Sequence, residues 1–302
     1  MTENKKTTAK TTTTTKTTKT TTAKKVNSNK SQLILELKKV KKNYGKVEVL
    51  TGISFDVYAG ERIAIVGANG AGKSTLSEII ARVKDLTSGT INYYFEENGK
   101  QSKGKGNISK HIGIQFQDSS YPEYYKVEDL VKFVIGAAKL DITEKELEHL
   151  YKTFDLWNLR KEVARGLSGG QQQRLNILLA IVNNPKLLIL DEVGTGLDVE
   201  SRTKIKSYIK SYADTHDATI LLVSHNSDEV MELVDRVIVI HNGNVFEDKK
   251  LKDIITKWKQ FDLYMNNLYL KVFKKNLDLR ANKSGRNKSK NKNKNKGNKK
   301  EK

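Results

Sequence analysis

The chain has 302 residues, a formal net charge of +20 and 37% hydrophobic residues, enough for a sizeable core in one large domain or two small ones. It has no cysteine, which excludes disulfides and thiolate metal sites. No apolar stretch follows the N-terminal basic residues as in a secretory leader, and no apolar run approaches the roughly 18 residues of a membrane span.

The charge is concentrated at the ends. Residues 1–30 hold 8 Lys against 1 Glu, and residues 271–302 hold 14 Lys and Arg against 2 acidic residues, leaving 31–270 at +1. Residues 1–30, almost all Thr, Lys, Ala and Asn, cannot bury enough surface to offset chain entropy and read as a disordered tail. Order is expected from Leu33, where Leu33, Leu35 and Leu37 alternate with Ile34, Glu36 and Lys38. Ile53 to Val57 and Arg62 to Val66 read as further strands. The stretch Gly67 to Thr75 then reads Gly-Ala-Asn-Gly-Ala-Gly-Lys-Ser-Thr and matches the phosphate loop pattern at Gly67, Gly72, Lys73 and Ser74. Glycines let backbone N–H groups wrap a polyphosphate, and the following helix points its N-terminal dipole at the same charge. Lys73 is expected at the β- and γ-phosphates and the Ser74 hydroxyl on Mg²⁺. The plainer alternative is a Gly-rich turn that carries a lysine. The strand before and the helical spacing of Leu76, Ile79, Ile80 and Val83 after it favour a nucleotide phosphate site.

Ser88-Gly89 closes that helical region, Ile91 to Phe95 is β-rich, Gly99 to Gly106 reads as a polar surface loop, and His111 to Phe116 as a short strand. The pattern becomes helical at Val127 to Ala138, Thr143 to Phe154 and Gly170 to Val182, with Thr143 and Glu146 spaced as a capping box. Strands return at Leu187 to Leu190, Thr219 to Val223 and Arg236 to Ile240, with a helix at Ser201 to Ala213 between the first two. The alternation indicates an α/β nucleotide domain with an inserted helical lobe over about 119–182. Residues 249–275 read as a helical extension, and 276–302, rich in Lys and Asn, as a second disordered tail.

Leu188-Ile189-Leu190-Asp191-Glu192 is an apolar strand ending in two carboxylates. Where such a strand emerges from a sheet, Asp191 can hold Mg²⁺ and Glu192 can polarise an attacking water as general base. Leu167-Ser168-Gly169-Gly170-Gln171-Gln172-Gln173-Arg174 reads as a capped helix start with two glycines exposing backbone amides, either an ordinary cap or a second anion site.

Leu-Ser-Gly-Gly-Gln in this position resembles the signature of ATP-binding cassette (ABC) transporter ATP-binding subunits, and the resemblance extends from residue 31 to about 248. It implies a P-loop NTPase core with a mixed, mostly parallel sheet, an antiparallel β subdomain and the helical lobe. It also assigns ATP contacts to Tyr44, Gly67, Asn69, Gly70, Gly72, Lys73, Ser74 and Thr75. Tyr44 stands where the family stacks an aromatic on adenine, an exposed turn tyrosine being the alternative. Gln117 matches a glutamine that contacts Mg²⁺ and senses the transporter, with Gln115 as a nearby competitor. Ser168 and Gly170 would face the phosphate loop of an opposite subunit, Asp198 would contact that subunit, and His225 matches the switch histidine at the γ-phosphate. The catalytic set implied is Glu192, His225, Lys73 and Gln117, with Ser74, Gln117 and Asp191 around Mg²⁺. Where the family often has Pro-Thr-Ser after the catalytic glutamate, this chain has Val193, Gly194 and Thr195, a change expected to loosen the turn.

The resemblance implies an ATPase that dimerises head to tail on ATP, as a homo- or heterodimer, and drives a separate membrane permease from the cytoplasmic face of the membrane. Tyr124 to Phe133 and the single phosphate loop point to export. The rival reading is a non-transport cassette ATPase acting on ribosomes or nucleic acid, which the basic tails would serve. Those tails also read as solubilising bias or as contacts to anionic lipid headgroups.

Overall fold

The computed structural model describes residues 32–97, 100–101, 108–116, 120–194 and 196–274. The 1–30 and 276–302 stretches, Gln117, Thr195 and most of the 99–106 loop lie outside the described residues. In chain order, β1 (Leu33–Tyr44) and β2 (Val47–Tyr58) form a hairpin, β3 (Arg62–Val66) feeds the phosphate loop, and α1 (Lys73–Ile80) leaves it. β4 (Ser88–Tyr93), the short pair β5 (Glu96–Glu97) and β6 (Lys100–Gln101), and β7 (Ile112–Gln115) follow. Three helices, α2 (Val127–Ala138), α3 (Glu144–Thr153) and α4 (Gly169–Ile181), precede β8 (Leu187–Asp191). Then come α5 (Val199–His216), β9 (Thr219–Val223), α6 (Ser227–Leu233), β10 (Arg236–His241) and β11 (Asn244–Lys250). Helices α7 (Leu251–Trp258) and α8 (Phe261–Leu268) and a π-helical turn (Tyr269–Lys274) close the described chain.

The central sheet has six strands in the order β11-β10-β3-β9-β8-β7, parallel throughout except for β11, which runs antiparallel to β10. A second, antiparallel sheet has the order β2-β1-β4. The expected α/β class, with a mostly parallel nucleotide-binding sheet, an antiparallel sheet and helices between β7 and β8, is therefore observed.

Side-chain alternation along the central strands explains why the sheet divides the core in two. Ala64, Val66, Leu188, Leu190, Ile220 and Leu222 face one cluster, which also takes in residues of α4, α5, α7 and α8. Their neighbours Ile63, Ile65, Leu187, Ile189, Leu221 and Val223 face the other, shared with α1 and the antiparallel sheet. Strands covered on both faces must be apolar at every position, which is the continuous run seen in β8 and β9. Each such side chain removed from water contributes about 1.5–3 kcal/mol before entropy is counted.

Local chemistry sets the boundaries. Thr143 caps α3 reciprocally, its hydroxyl accepting from the Glu146 N–H at 3.3 Å while its own N–H donates to Glu146 Oε2 at 2.9 Å. Helix α1 starts at Lys73 rather than Thr75 and stops at Ile80 rather than Val83, with Arg82 turning the chain at φ +61°. Several elements escape the periodicity of the sequence: α6, which is only seven residues long, β11, a charged edge strand exposed along most of its length, and the two-residue strands β5 and β6, the latter inside the stretch expected to be a polar loop.

Strand β7 lies so close to α4 that a Cβ at Gly113 would sit 1.9 Å from the Ala180 carbonyl oxygen and 2.8 Å from Pro185 Cγ. Because the obstacle is helix backbone, Gly113→Ala should destabilise the fold by about 1–3 kcal/mol. Urea or thermal unfolding of the purified variant should show a lowered midpoint, and an unchanged midpoint would contradict this packing.

Candidate active site

Sheet order decides what meets at the site. Strands β3, β9 and β8 are neighbours and parallel, so their carboxyl ends emerge side by side. Ligand sites of open α/β sheets form at such strand ends. The phosphate loop follows β3, Ser224 and His225 follow β9, and Asp191 and Glu192 end β8.

Two glycines shape the loop by close approach. A Cβ at Gly67 would lie 2.2 Å from the Ile240 carbonyl oxygen, so only glycine lets the loop leave β3 against β10. Gly72, the residue before α1, sits at φ +97°, and a Cβ there would meet Leu50 Cδ2 at 2.7 Å. The first turn of α1 is thereby presented with free amides, the arrangement that binds anions. Lys73 is buried and curls back, its Nζ donating to the carbonyls of Gly67 at 3.0 Å and Ala68 at 3.2 Å. Desolvation lowers its pKa, while Asp191 and Glu192 oppose the shift.

Asp191 is buried and its carboxyl is pushed up, mainly by desolvation and also by Glu192; a hydrogen bond from Ser74 and the Lys73 charge pull the other way. The Ser74 hydroxyl and the Asp191 carboxylate thus stand together as hard oxygen donors. That donor set suits Mg²⁺, which binds through oxygen ligands.

The next residue, Glu192, has φ +56°, a conformation that non-glycine residues rarely adopt. Its backbone is gripped on both sides. The Glu192 N–H donates to the Val223 carbonyl at 2.9 Å, and Gln173 Nε2 donates to the carbonyls of Glu192 at 3.0 Å and Val193 at 3.2 Å. Gln173 lies on α4, two residues past the Leu-Ser-Gly-Gly-Gln stretch, and is buried. Gln115, the nearby competitor of Gln117, belongs to the same arrangement. Gln115 is buried, its Oε1 accepts from the Asp191 N–H at 3.1 Å, and its Nε2 reaches Gln173 Oε1 at 3.5 Å, so it serves the scaffold. Gln117 lies outside the described residues.

His225 is exposed at the end of β9 and borders two cavities. The larger, of about 750 Å³, is lined by Gly67, Asn69, Gly70, Asp262 and Tyr269 among others. The smaller, of about 370 Å³, includes Glu192, Gly194, Ser224 and Glu229. Desolvation and the Lys73 charge lower the His225 pKa, with Glu192 acting in the opposite direction.

The remaining residues stand apart. Tyr44 is 45% exposed at the end of β1, with Lys42 Nζ 5.0 Å from its ring centroid, and it does not line the 750 Å³ cavity. Ser168 caps α4, its N–H donating to Gln171 Oε1 at 2.9 Å. A Cβ at Gly169 would meet no atom within 4 Å, whereas one at Gly170 would lie 2.9 Å from the Gly196 carbonyl oxygen, and Ser168 and Gly170 line neither cavity. Asp198 caps α5 by accepting from the Ser201 N–H at 2.9 Å, which holds its carboxyl below the usual range.

The family model for ABC transporters matches residues 50–194. The energy-coupling factor transporter ATP-binding protein EcfA1 of Staphylococcus epidermidis is 32% identical over 234 residues, covering 75% of this chain and 85% of that protein. The chain belongs to the ABC transporter family. The sulfate/thiosulfate import ATP-binding protein CysA 1 of Shewanella oneidensis is 30% identical over 221 residues, covering 70% of this chain but only 57% of the length of that relative. Among solved structures, an ATP-binding cassette dimer in a post-hydrolysis state with ADP and Pi superposes at a TM-score of 0.63 with 25% identity, over 72% of this chain and 99% of that one. Membership of the family rests on the sequence relatives, and the structural likeness agrees with it in fold.

Reading the sequence alone missed Gln173, Ser224 and Glu229. Gln173 is the third of three consecutive glutamines, and only its helical spacing to Ile177 and Ala180, which are buried on the same face, could have marked it as inward-facing. Ser224 and Glu229 surround His225 in sequence and carried no signal of their own.

The electrostatics predict that His225 titrates below the ordinary histidine value of about 6.5. Lys73→Met removes a nearby cation and should raise the midpoint; Glu192→Gln removes an anion and should lower it further. Histidine-selective NMR across a pH series reads both, and shifts of the opposite sign would contradict the arrangement.

Proposed function

We propose that the chain hydrolyses ATP as the motor subunit of a transporter, with Glu192 as general base. The observation that carries this reading is that His225 borders both cavities, one against the phosphate loop and the other against Glu192. The residues then divide the work. Lys73 and the amides of the loop hold the triphosphate and align its γ-phosphoryl group. The Glu192 carboxylate accepts the proton of a water as its oxygen bonds to the γ-phosphorus and the bond to the bridging oxygen breaks, giving ADP and phosphate. His225, kept neutral at pH 7 by its lowered pKa, can donate or accept a hydrogen bond at the γ-phosphate without adding charge. Ser74 and Asp191, with Gln117 as a further ligand, would hold Mg²⁺, which would neutralise charge on the phosphate oxygens. Tyr44 is assigned to adenine, with Gly67, Asn69, Gly70, Gly72 and Thr75 around the phosphates.

The turn at Ser168 to Gly170, at the N-terminal end of α4, lines neither cavity of its own chain. We assign it to the γ-phosphate of a second subunit, with Asp198 at the same contact, so that ATP is enclosed by two chains. No helix among the described residues is long and apolar enough to cross a membrane. The membrane part of the transporter is therefore assigned to a separate permease, contacted by α2 and α3 from the cytoplasmic side. The CysA 1 and EcfA1 relatives are named as ATP-binding proteins of transport, and CysA 1 is named for import, so export draws the weaker support. The alternative on ribosomes or nucleic acid rests on tails outside the described residues.

Glu192→Gln should reduce steady-state ATP hydrolysis by about 10²-fold or more while leaving nucleotide affinity nearly unchanged. Phosphate release and a fluorescent-nucleotide titration on the same preparation measure the two. Full hydrolysis by the variant would remove Glu192 from the role of base.

A further inference from the structure

In the turn that the sequence led one to expect loosened, Gly194 is held by a buried carboxylate, while Thr195 lies outside the described residues. Glu229, on α6, is 2% exposed. Its Oε1 accepts from the Gly194 N–H at 2.9 Å, and its Oε2 accepts from the Ser224 hydroxyl at 2.6 Å. Ser224 is itself 1% exposed, and its Oγ accepts from the Asn226 N–H at 3.0 Å, which fixes the backbone on the far side of His225. A single side chain therefore ties the residue two after Glu192 to the residues on both sides of His225. Gly194 is required for this contact: a Cβ there would lie 2.4 Å from Glu229 Oε1 and 3.1 Å from Arg202 Nε. Arg202 Nε is buried beside it with no hydrogen-bond partner. The carboxylate thus occupies the space that a side chain at position 194 would otherwise take.

We propose that Glu229 is a positioning residue that sets the distance between the general base Glu192 and His225 by bridging Gly194 and Ser224. It rests on the ATP-hydrolysis reading, and it goes beyond it by placing control of the chemical step on α6. Neither oxygen of Glu229 is left over for another partner on these two arms, so removing it frees a buried N–H and a buried hydroxyl at once. Among the described residues, the side-chain hydrogen bonds of Glu229 go to Gly194 and Ser224 and not to the phosphate loop, Lys73 or Ser74. Loss of the bridge should therefore reduce turnover and spare nucleotide binding.

The test compares wild type, Glu229→Ala, Glu229→Gln and Ser224→Ala for kcat, KM for ATP, affinity for a fluorescent nucleotide, and thermal midpoint. Glu229→Ala should lower kcat by about 10–100-fold, the scale on which small misplacements act, with KM and nucleotide affinity within about twofold. Glu229→Gln keeps one oxygen acceptor and an amide that can donate to Ser224 Oγ, so it should recover much of the loss. Ser224→Ala removes one arm with little change of volume and should lower kcat several-fold, which keeps the test informative if Glu229→Ala does not fold. A kcat unchanged in Ser224→Ala and in Glu229→Gln, with Glu229→Ala either unfolded or equally active, overturns the proposal. So does a loss of affinity that follows the thermal midpoint through the series. Absence of ATP hydrolysis by wild type would overturn the hydrolysis reading itself, and the proposal with it.

Discussion

A glutamate held at φ +56° at the end of a buried strand costs about 1–2 kcal/mol relative to ordinary backbone. The site depends on that turn, because Glu192 lines the smaller cavity while Asp191, one residue earlier, stays buried near Ser74 and Lys73. What holds it is a set of buried polar side chains from three other elements: Gln115 from β7 on the Asp191 N–H, Gln173 from α4 on the Glu192 and Val193 carbonyls, and Glu229 from α6 on the Gly194 N–H. Each meets backbone groups that would otherwise be buried without partners, a cost of about 1–3 kcal/mol apiece. Strain at one residue is thus balanced by satisfaction of its neighbours, as is common where backbone conformation serves a site.

The charges follow the same logic. Lys73 and Asp191 are both buried, and burial weakens each charge in its own direction, the lysine pKa moving down and the aspartate pKa moving up. Their mutual attraction opposes both shifts. A polyphosphate brought to the loop meets amides already fixed by Gly67 and Gly72 and an ammonium already desolvated, so little reorganisation is left for the moment of reaction. The lowered His225 pKa belongs to this set as well, because the Lys73 cation contributes to it.

Much of the fold was readable because its physical signals are strong and local. Continuous apolar runs gave β8 and β9, alternation gave β1, and the glycine spacing gave the phosphate loop. Sheet order was not readable, since nothing in the runs themselves states that β9 lies between β3 and β8. Yet that order is what brings His225 between the loop and Glu192. Short or polar elements were also hidden: α6 has too few residues for a period, and β11 alternates weakly on an exposed edge. Among site residues, those with a motif were named from sequence, while Gln173 and Glu229 act through backbone groups far away in sequence and Ser224 through Glu229. The substitution at Val193 and Gly194 looked like a loosened turn in one dimension. In three, the missing side chain at Gly194 makes room for a carboxylate.

The central claim is that a phosphate loop on one chain works only with the Ser168 turn of another. Mixing two inactive variants tests it most directly: Lys73→Ala, which spoils the loop, and Ser168→Arg, which spoils the turn. In a mixed dimer one interface keeps an intact loop facing an intact turn, so ATP hydrolysis absent from each variant alone should appear on mixing. Full activity of Ser168→Arg by itself, or no activity from the mixture while wild type hydrolyses ATP, would contradict a site shared between two chains.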